Sequence, residues 1–156
     1  MAPKPAPLEA GTPAPAFTAK TFDGKTVSLA DYSGTMLALY FYPKDATPGC
    51  TAQACNLRDN LNLLADHDVA VVGVSPDDDA SHEKFTAKHE LPFPLIADVD
   101  HELIGPYGVW GEKQNYGKTY MGLQRTTFLI DGDGVIKHVF KRPKTKAHAE
   151  EIISKL

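Results

Sequence analysis

The chain has 156 residues, of which 42% are hydrophobic, and its formal net charge is -4. This length and composition fit one domain with a sizeable core and exclude a disordered chain. The longest apolar runs have only the length of a strand, so a membrane span is not expected, and the negative net charge argues against nucleic-acid binding. We therefore predict one domain over residues 1–156, with residues 1–8 as a weakly ordered lead-in.

Cysteine use and the N-terminal sequence together predict the redox environment. The N-terminus, MAPKPAPLEAGTPAPA, is rich in Pro and Ala and has no apolar core segment, so it does not resemble a signal peptide. A cytoplasmic location is the resulting expectation. In that reducing compartment, the two cysteines of the chain are more often reactive than part of a structural disulfide.

The N-terminal half predicts a hairpin, then a strand and a helix. Asp23-Gly24 is a tight-turn signal, so residues 16–20 and 25–29 are expected to pair. The apolar run 36–42 predicts a buried strand. Apolar residues at helical spacing then predict a helix that continues to about Asp66.

The C-terminal half continues the alternation and closes with a hairpin and a helix. The expected strands are 69–75, 95–97, 126–130 and 135–140, and the expected helices are 77–89 and 144–156. This order predicts an α/β fold of the thioredoxin-like kind, a three-layer sandwich with a central mixed sheet and an N-terminal hairpin extension.

A glycine-rich stretch, 105–122, separates the two parts of the predicted sheet and is expected to be a loop. It carries Trp110, Tyr116 and Tyr120. Such a loop can wall a substrate site or a partner surface. Ordinary packing of the three aromatic side chains is the alternative.

Cys50 lies where a strand gives way to a helix. Thr47 suits the N-cap and Pro48 suits the first helical position, so Cys50 falls in the first turn. The free amides and the positive end of the helix dipole at this place favour a thiolate. Gly49 removes a side chain and leaves room for a substrate. Cys50 is therefore predicted to be reactive, and a buried hydrophobic role is the alternative.

Cys55 lies on the same predicted helix. Helix geometry places the two Cα atoms about 8–9 Å apart, which exceeds the ~7 Å limit for a disulfide. A disulfide would therefore require the first turns to unwind. Spacing alone leaves open that Cys55 only packs on the buried face of the helix.

Metal and cofactor chemistry finds no support in the sequence. The six histidines are scattered through predicted surface helices and turns without paired spacing, and none is aimed at Cys50 by the pattern. A CxxC redox motif is absent. We predict no metal and no cofactor.

The residues around Cys50 resemble a known family. Residues 43–50, PKDATPGC, match the peroxiredoxin pattern PxxxTxxC. The longer run YFYPKDATPGCTAQACNLRDN resembles the branch called bacterioferritin comigratory protein, or peroxiredoxin Q. So do GVWGEK (108–113), GKTY (117–120) and QRTTFLID (124–131), and the resemblance covers nearly the whole chain after about residue 8.

This resemblance implies a thiol-specific peroxidase that reduces hydrogen peroxide and organic hydroperoxides. Cys50 is then the peroxidatic cysteine, which becomes a sulfenic acid, and Cys55 is the resolving cysteine, which forms a disulfide with it. Thr47 holds the peroxide, Pro43 shields the site, and Arg125 supplies a cation that faces the sulfur. Such a cation and such donors stabilise the charge that moves from the sulfur to the leaving oxygen.

The resemblance also implies partners. The amide of Gly49 is expected to join Thr47 and Arg125 in binding the peroxide, and thioredoxin or a similar dithiol protein is expected to reduce the disulfide. An intramolecular disulfide needs no second subunit, so a monomer is expected. Two alternatives stay open: a thiol–disulfide exchange protein, and a peroxide sensor that passes its oxidation to a partner.

Overall fold

The computed structural model describes residues 3–156. The predicted N-terminal hairpin is present: β1 (Thr18–Lys20) and β2 (Thr26–Ser28) pair antiparallel. A single 3-10 turn, Leu29–Tyr32, follows the hairpin. Asp31 Oδ2 accepts a hydrogen bond of 2.9 Å from the Ser28 amide and holds the start of this turn.

A five-stranded mixed sheet forms the centre of the molecule. Three strands, β3 (Met36–Phe41), β4 (Val69–Ser75) and β5 (Leu95–Ala97), run parallel. A separate antiparallel pair, β6 (Trp110–Asn115) and β7 (Lys118–Leu123), lies outside this sheet.

The sheet is completed by two C-terminal strands. β8 (Thr126–Ile130) pairs antiparallel with β3, and β9 (Ile136–Phe140) pairs antiparallel with β8. The strand order is therefore β5-β4-β3-β8-β9. This arrangement confirms the predicted α/β class with a central mixed sheet.

Four helices pack on one face of this sheet: α1 (Pro48–Asp59), α2 (Leu61–Asp66), α3 (Asp79–His89) and α4 (His148–Ile153). The single helix predicted to Asp66 is divided at Asn60, whose ψ of 13° departs from helical geometry. The predicted terminal helix is shorter than expected because residues 144–147 form a turn.

Alternation along β3 divides the core between the two faces. Ala38 and Tyr40 point to the helices, whereas Leu37, Leu39 and Phe41 point to the other side. That second face is covered by the N-terminal hairpin, by β6 and by the turns between β5 and β6. In these turns Asp98 Oδ2 accepts hydrogen bonds from the backbone amides of Leu103 and Ile104. The third layer is thus built from turns and short strands.

The glycine-rich loop predicted for 105–122 is mostly the β6–β7 hairpin. Trp110 packs on His101 with ring centroids 4.3 Å apart, and Tyr116 at the hairpin tip is 97% exposed. The loop prediction was wrong because the segment is rich in glycine and polar residues, and its strands lack a buried apolar face.

The segment predicted as a weakly ordered lead-in, residues 1–8, is described only in part. Met1 and Ala2 lie outside the described residues. From Pro3 onward the segment follows the start of β6: the Glu112 amide donates to Pro3 O at 2.9 Å and the Ala6 amide to Gly108 O at 2.8 Å. A Cβ on Gly111 would lie 2.5 Å from the Pro5 nitrogen, so this close approach requires glycine.

None of the helices within residues 3–156 combines the length and the apolar content that a membrane crossing would need.

Candidate active site

The β3–α1 connection places Cys50 at the start of a helix. Thr47 is the N-cap with extended backbone angles, Pro48 opens α1, and Cys50 is the third helical residue. Its side chain is only 1% exposed. The sulfur therefore lies at the positive end of the helix dipole and out of contact with bulk water.

Arg125 meets this sulfur from a distant part of the chain. It lies between β7 and β8, 75 residues from Cys50, and its Nη2 donates to Cys50 Sγ at 3.1 Å. Its Nη1 donates to Gln53 Oε1 at 2.7 Å. Gln53 is fully buried, so it fixes the guanidinium against α1. A charged donor at this distance favours negative charge on the sulfur.

Gly49 leaves the space that the guanidinium occupies. A Cβ on Gly49 would lie 3.3 Å from Arg125 Nη2. Such a contact is tighter than ordinary packing, so a side chain here would push against the group that reaches Cys50. The predicted need for a small residue is thus explained by the arginine as well as by room for a substrate.

Thr47 and Pro43 both lie in the connection, beside Cys50 in the chain. The Thr47 hydroxyl donates to Lys44 O at 2.9 Å. Thr47 occupies the predicted N-cap position, but its side chain makes no capping hydrogen bond to the helix. The Thr47 hydroxyl oxygen therefore accepts no hydrogen bond from the backbone amides of the first turn of α1. Pro43 lies two residues after the end of β3 and is partly buried.

Cys55 lies one and a half turns after Cys50 on α1, and both cysteines are free. It is partly exposed, and its Sγ lies 3.8 Å from Nδ1 of His89 at the end of α3. Both cysteines belong to one intact helix, the arrangement for which helix geometry excludes a direct disulfide.

A buried hydrogen-bond network centred on Asp45 fixes the β3–α1 connection. The Tyr42 hydroxyl donates to Asp45 Oδ1 at 2.7 Å, and Ser81 Oγ donates to Asp45 Oδ2 at 2.8 Å. His82 Nδ1 lies 2.6 Å from the same Oδ2. His82 Nε2 lies 3.0 Å from Ile96 O. Because both ring nitrogens face oxygen acceptors, the imidazolium satisfies both.

Asp45 and His82 each favour the charged form of the other. Although burial opposes it, the hydrogen bond and the charge of Asp45 raise the pKa of His82 above 6.5. Burial likewise opposes ionisation of Asp45, but hydrogen bonds from His82 and Tyr42 lower its pKa below 3.8. Asp77, which accepts the Asp45 amide at 2.8 Å, adds a second carboxylate to the cluster.

The expectation that all histidines lie on the surface was wrong. His82 and His148 are both fully buried. His148 Nε2 lies 2.8 Å from Thr127 Oγ1 on the sheet. The sequence held one usable signal: His82, Phe85 and His89 recur at helical spacing, so they share the inward face of α3.

Two further residues beside Cys50 were not predicted. Gln53 offers its carbonyl to Arg125, while its Nε2 is buried and has no hydrogen-bond partner among residues 3–156. The Tyr40 hydroxyl, beneath α1, is also buried and has none within the same residues. Burial raises the pKa of Tyr40 well above its ordinary value, so this hydroxyl remains protonated. Both groups depend on tertiary neighbours that local sequence does not specify.

A sulfur held by a guanidinium at a helix start, on a thioredoxin-like sheet, is suited to the reduction of peroxides by a thiol. Comparison with known proteins supports this class. The chain belongs to the AhpC/TSA family of peroxiredoxins, whose family model matches residues 10–139.

Particular relatives cover almost the entire chain. It is 46% identical to Peroxiredoxin Bcp of Bacillus subtilis (strain 168) over 149 residues, which cover 96% of this chain and 95% of the relative. It is 47% identical to Peroxiredoxin Bcp of Escherichia coli (strain K12) over 148 residues, which cover 95% of each chain. These relatives confirm the Bcp/peroxiredoxin Q resemblance.

Solved structures agree with the sequence relatives. The bacterioferritin comigratory protein of Xanthomonas campestris, studied for its alkyl peroxide reduction activity, superposes with a TM-score of 0.82 at 33% identity, covering 88% of both chains. Peroxidoxin BcpB from Mycobacterium tuberculosis gives 0.83 at 29% identity, covering 95% of this chain and 96% of that one. The fold is thus the thioredoxin fold of peroxiredoxins, and the activity is that of a thiol peroxidase of the atypical 2-Cys type.

Proposed function

We propose that this protein reduces hydrogen peroxide and organic hydroperoxides through Cys50, with Cys55 as the resolving cysteine and a dithiol protein such as thioredoxin as the reductant. The observation that carries the proposal is the 3.1 Å contact from Arg125 Nη2 to Cys50 Sγ at the start of α1. The alkyl peroxide activity of the Xanthomonas relative supports the inclusion of organic hydroperoxides.

In the first step the Cys50 thiolate attacks one oxygen of the peroxide. The O–O bond breaks, the sulfur keeps that oxygen as a sulfenic acid, and the other oxygen leaves and takes a proton as water or an alcohol. Arg125 and the Gly49 amide are the donors assigned to the oxygens, and the Thr47 oxygen, whose own proton goes to Lys44 O, accepts a hydrogen bond from the peroxide. Donors already in place stabilise the moving charge without reorganisation. Pro43 limits the access of water from the loop side.

In the second step Cys55 attacks the sulfenic sulfur and forms a disulfide as water leaves. Because both cysteines start in one helix, the first turn of α1 must unwind during this step. Arg125 releases its hydrogen bond to the sulfur as the thiolate is consumed, which favours the opening.

The burial of Cys50 separates peroxides from protein disulfides as substrates. With Cys50 1% exposed, the disulfide of a folded protein cannot approach the sulfur, whereas a peroxide has to bring only its hydroperoxide group to it. A thiol–disulfide exchange protein needs an exposed attacking sulfur. This burial therefore argues against the exchange alternative for the reduced protein.

The proposal extends to the setting in which the protein works. A dithiol reductant fits a product disulfide that becomes accessible once α1 opens. The cytoplasm fits free cysteines, which a reducing compartment maintains. A monomer fits a chain that carries both cysteines of the cycle, since the disulfide then needs no second subunit.

The test is mass spectrometry with peptide mapping after one equivalent of hydrogen peroxide. We expect the loss of two hydrogens, mapped to a Cys50–Cys55 crosslink. Cys55→Ser should instead gain oxygen on Cys50, and Cys50→Ser should not react. Turnover with thioredoxin is then followed as peroxide consumption.

Other results would change the assignment. Oxygen on Cys50 of the native protein with Cys55 still free would make this a one-cysteine peroxidase. Slow reaction with peroxide together with fast exchange with protein disulfides would replace the proposal by the exchange alternative. Stoichiometric oxidation without turnover by any dithiol would favour a sensor.

A further inference from the structure

We propose that His89 is the acid–base residue of the second half of the cycle, where it takes the proton from the Cys55 thiol, passes it to the departing hydroxide, and relays a new proton to Cys55 when the disulfide is reduced. This inference rests on the proposed role of Cys55. The contact that supports it joins His89 Nδ1 and Cys55 Sγ at 3.8 Å, within hydrogen-bonding reach of a sulfur. A thiol must lose its proton before it can attack, and an imidazole is the side chain best suited to accept one near neutral pH.

The histidine is held in place from two sides. Its ring stands edge-on to Phe85, with centroids 5.2 Å apart and an interplanar angle of 73°. Its carbonyl oxygen accepts a hydrogen bond of 2.7 Å from Arg58 Nη1 on α1. The residue is therefore fixed relative to the helix that carries Cys55, and only part of its surface is exposed.

The half of α1 that carries Cys55 is also held to the C-terminal helix. Asn56 Nδ2 donates to Lys146 O at 3.1 Å and to Glu150 Oε2 at 3.3 Å. Asn56 Oδ1 accepts the Ala149 amide at 2.8 Å. Cys55, directly before Asn56, is thus on the anchored side of the helix.

The half that carries Cys50 has no such ties. Among the described residues, the side chains of the first turn of α1 form no hydrogen bond to another helix. Cys50 is held by Arg125, a contact that weakens once the thiolate becomes a neutral sulfenic acid. When α1 opens, Cys50 therefore moves toward Cys55, and Cys55 remains beside His89.

The proton and electron balance is complete without a further reactant. His89 Nδ1 accepts the proton of Cys55 Sγ–H, the two sulfurs join, and the S–O bond of the Cys50 sulfenic acid breaks. The departing hydroxide takes the proton from the imidazolium and leaves as water. Cys55 is oxidised and Cys50 is reduced from sulfenic acid to disulfide.

The same residue serves the return step. When the thiolate of a dithiol reductant attacks the Cys50 sulfur, Cys55 leaves as the other product of S–S cleavage. The proton that this sulfur needs comes from a thiol of the reductant, and His89 relays it, since the proton taken up earlier has left in the water. The charged groups nearest to His89 are Arg58, which donates to its carbonyl oxygen and to Asp59 on α1, and its chain neighbours Lys88 and Glu90.

The experiment separates the two steps by rapid quenching and mass spectrometry after one equivalent of hydrogen peroxide. Gain of one oxygen reports the sulfenic acid, and loss of two hydrogens reports the disulfide. The variant is His89→Asn, whose amide keeps a polar nitrogen near the Nδ1 position but accepts no proton. The control is His67→Asn, an exposed histidine at the end of α2.

We expect sulfenic acid formation to be unchanged in both variants. Disulfide formation in His89→Asn should be about a hundredfold or more slower at pH 7, in keeping with the usual contribution of a general base. The defect should shrink toward pH 9, because hydroxide in the solvent then removes the thiol proton without help from the imidazole. His67→Asn should match the native protein at every pH.

Three outcomes would overturn the inference. Equal disulfide rates in the native protein and His89→Asn at pH 7 would exclude proton transfer by His89. A defect of the same size at every pH would assign His89 a packing role. A slower first step would show that the variant disturbs Cys50. If the native protein forms no Cys50–Cys55 disulfide at all, the proposed function fails first, and that result is distinct from these three.

Discussion

Arg125 contacts Cys50 with one terminal nitrogen and Gln53 with the other. The guanidinium is therefore aimed as well as charged, since the amide of a buried residue fixes its plane. A lysine could supply the charge but not both directed contacts. At the scale of single residues, the reactivity of the sulfur depends on this pair of hydrogen bonds.

Arg125→Ala should lower the rate of Cys50 oxidation by hydrogen peroxide by about a hundredfold or more. Removal of one preorganised donor costs roughly that much in other enzymes, and here the cation is lost too. Stopped-flow measurement of the first step gives the rate. Arg142→Ala is the matched control, because Arg142 lines the same surface hollow as Arg125 and is exposed. An equal loss in both variants would point to a general effect of surface charge.

Gln53→Leu should have a smaller effect on the same step, about tenfold. The variant keeps the size of the buried side chain and the cation, but it removes the carbonyl that orients Arg125. The same stopped-flow assay applies, with Gln114→Leu on the exposed strand β6 as the control. An unchanged rate would mean that Arg125 finds its orientation without Gln53.

At the scale of elements, α1 joins two halves that are held differently. Its N-terminal half is tied to Arg125, and its C-terminal half is tied to α4 through Asn56 and to the end of α3 through Arg58. The helix can thus open at one end while the other keeps its place. This division matches the need for Cys50 to move and for Cys55 to stay.

Asn56→Ala should remove the difference in anchoring between the two halves of α1. We expect the free energy of unfolding to fall by about 1–3 kcal/mol, because the Ala149 amide and the Lys146 carbonyl lose their partner. Hydrogen exchange should become faster through the C-terminal half of α1. Chemical denaturation and exchange mass spectrometry give both values, with Asn62→Ala on α2 as the control. No change in exchange after Asn56 would contradict the anchoring.

At the scale of the whole molecule, the buried pair of Asp45 and His82 joins the β3–α1 connection to α3 and to β5. His82 contacts Asp45 through one nitrogen and Ile96 O through the other. Segments far apart in the chain therefore share one charged pair. We therefore expect the position of the loop before Cys50 to depend on the protonation of the Asp45–His82 pair.

Stability should accordingly vary with pH. The pKa of His82 is raised from 6.5, so its contribution is fully present below about pH 6.5 and is lost as the pH rises through the raised value. The pKa of Asp45 is lowered from 3.8, so its contribution is present above pH 3.8 and is lost as the pH falls through the lowered value. The network is strongest between these limits.

His82→Gln tests this window by denaturation over a pH series. Loss of one partner leaves the other charge buried, so we expect a cost of about 3–5 kcal/mol near pH 6. The difference from the native protein should shrink at alkaline pH, where native His82 loses its own proton. His67→Gln is the exposed control. A difference that is constant with pH would show that packing, and not charge, explains the loss.

Local signals explain what the sequence could predict. The helix start at Thr47-Pro48 and the turn at Asp23-Gly24 depend on residues a few positions apart, so both elements were predicted correctly. The strands β4 and β5 were predicted from their apolar runs. The β6–β7 hairpin was missed because its strands bury little, which leaves no alternation to detect.

The active-site residues also divide into those that local sequence predicts and those that it does not. Cys50 was found from local position, whereas Arg125 was placed only through the family resemblance, since no spacing rule connects residues 75 positions apart. Helical spacing indicates the inward face of α3 on which His82 lies, but its hydrogen-bond partners Asp45 and Ile96 are brought to it by the fold. Gln53 and Tyr40 became part of the site for the same reason. Tertiary contact, not local pattern, decides these residues.

The burial of Cys50 has a practical consequence for labelling kinetics. A bulky alkylating reagent cannot reach a sulfur that is 1% exposed until α1 opens. If the helix recloses faster than the reagent reacts, the labelling rate equals the opening equilibrium constant multiplied by the intrinsic rate for an open thiol. Cys55, partly exposed in the same molecule, provides an internal reference. The two labelling rates together convert a static difference in accessibility into the free energy of opening of one helical turn.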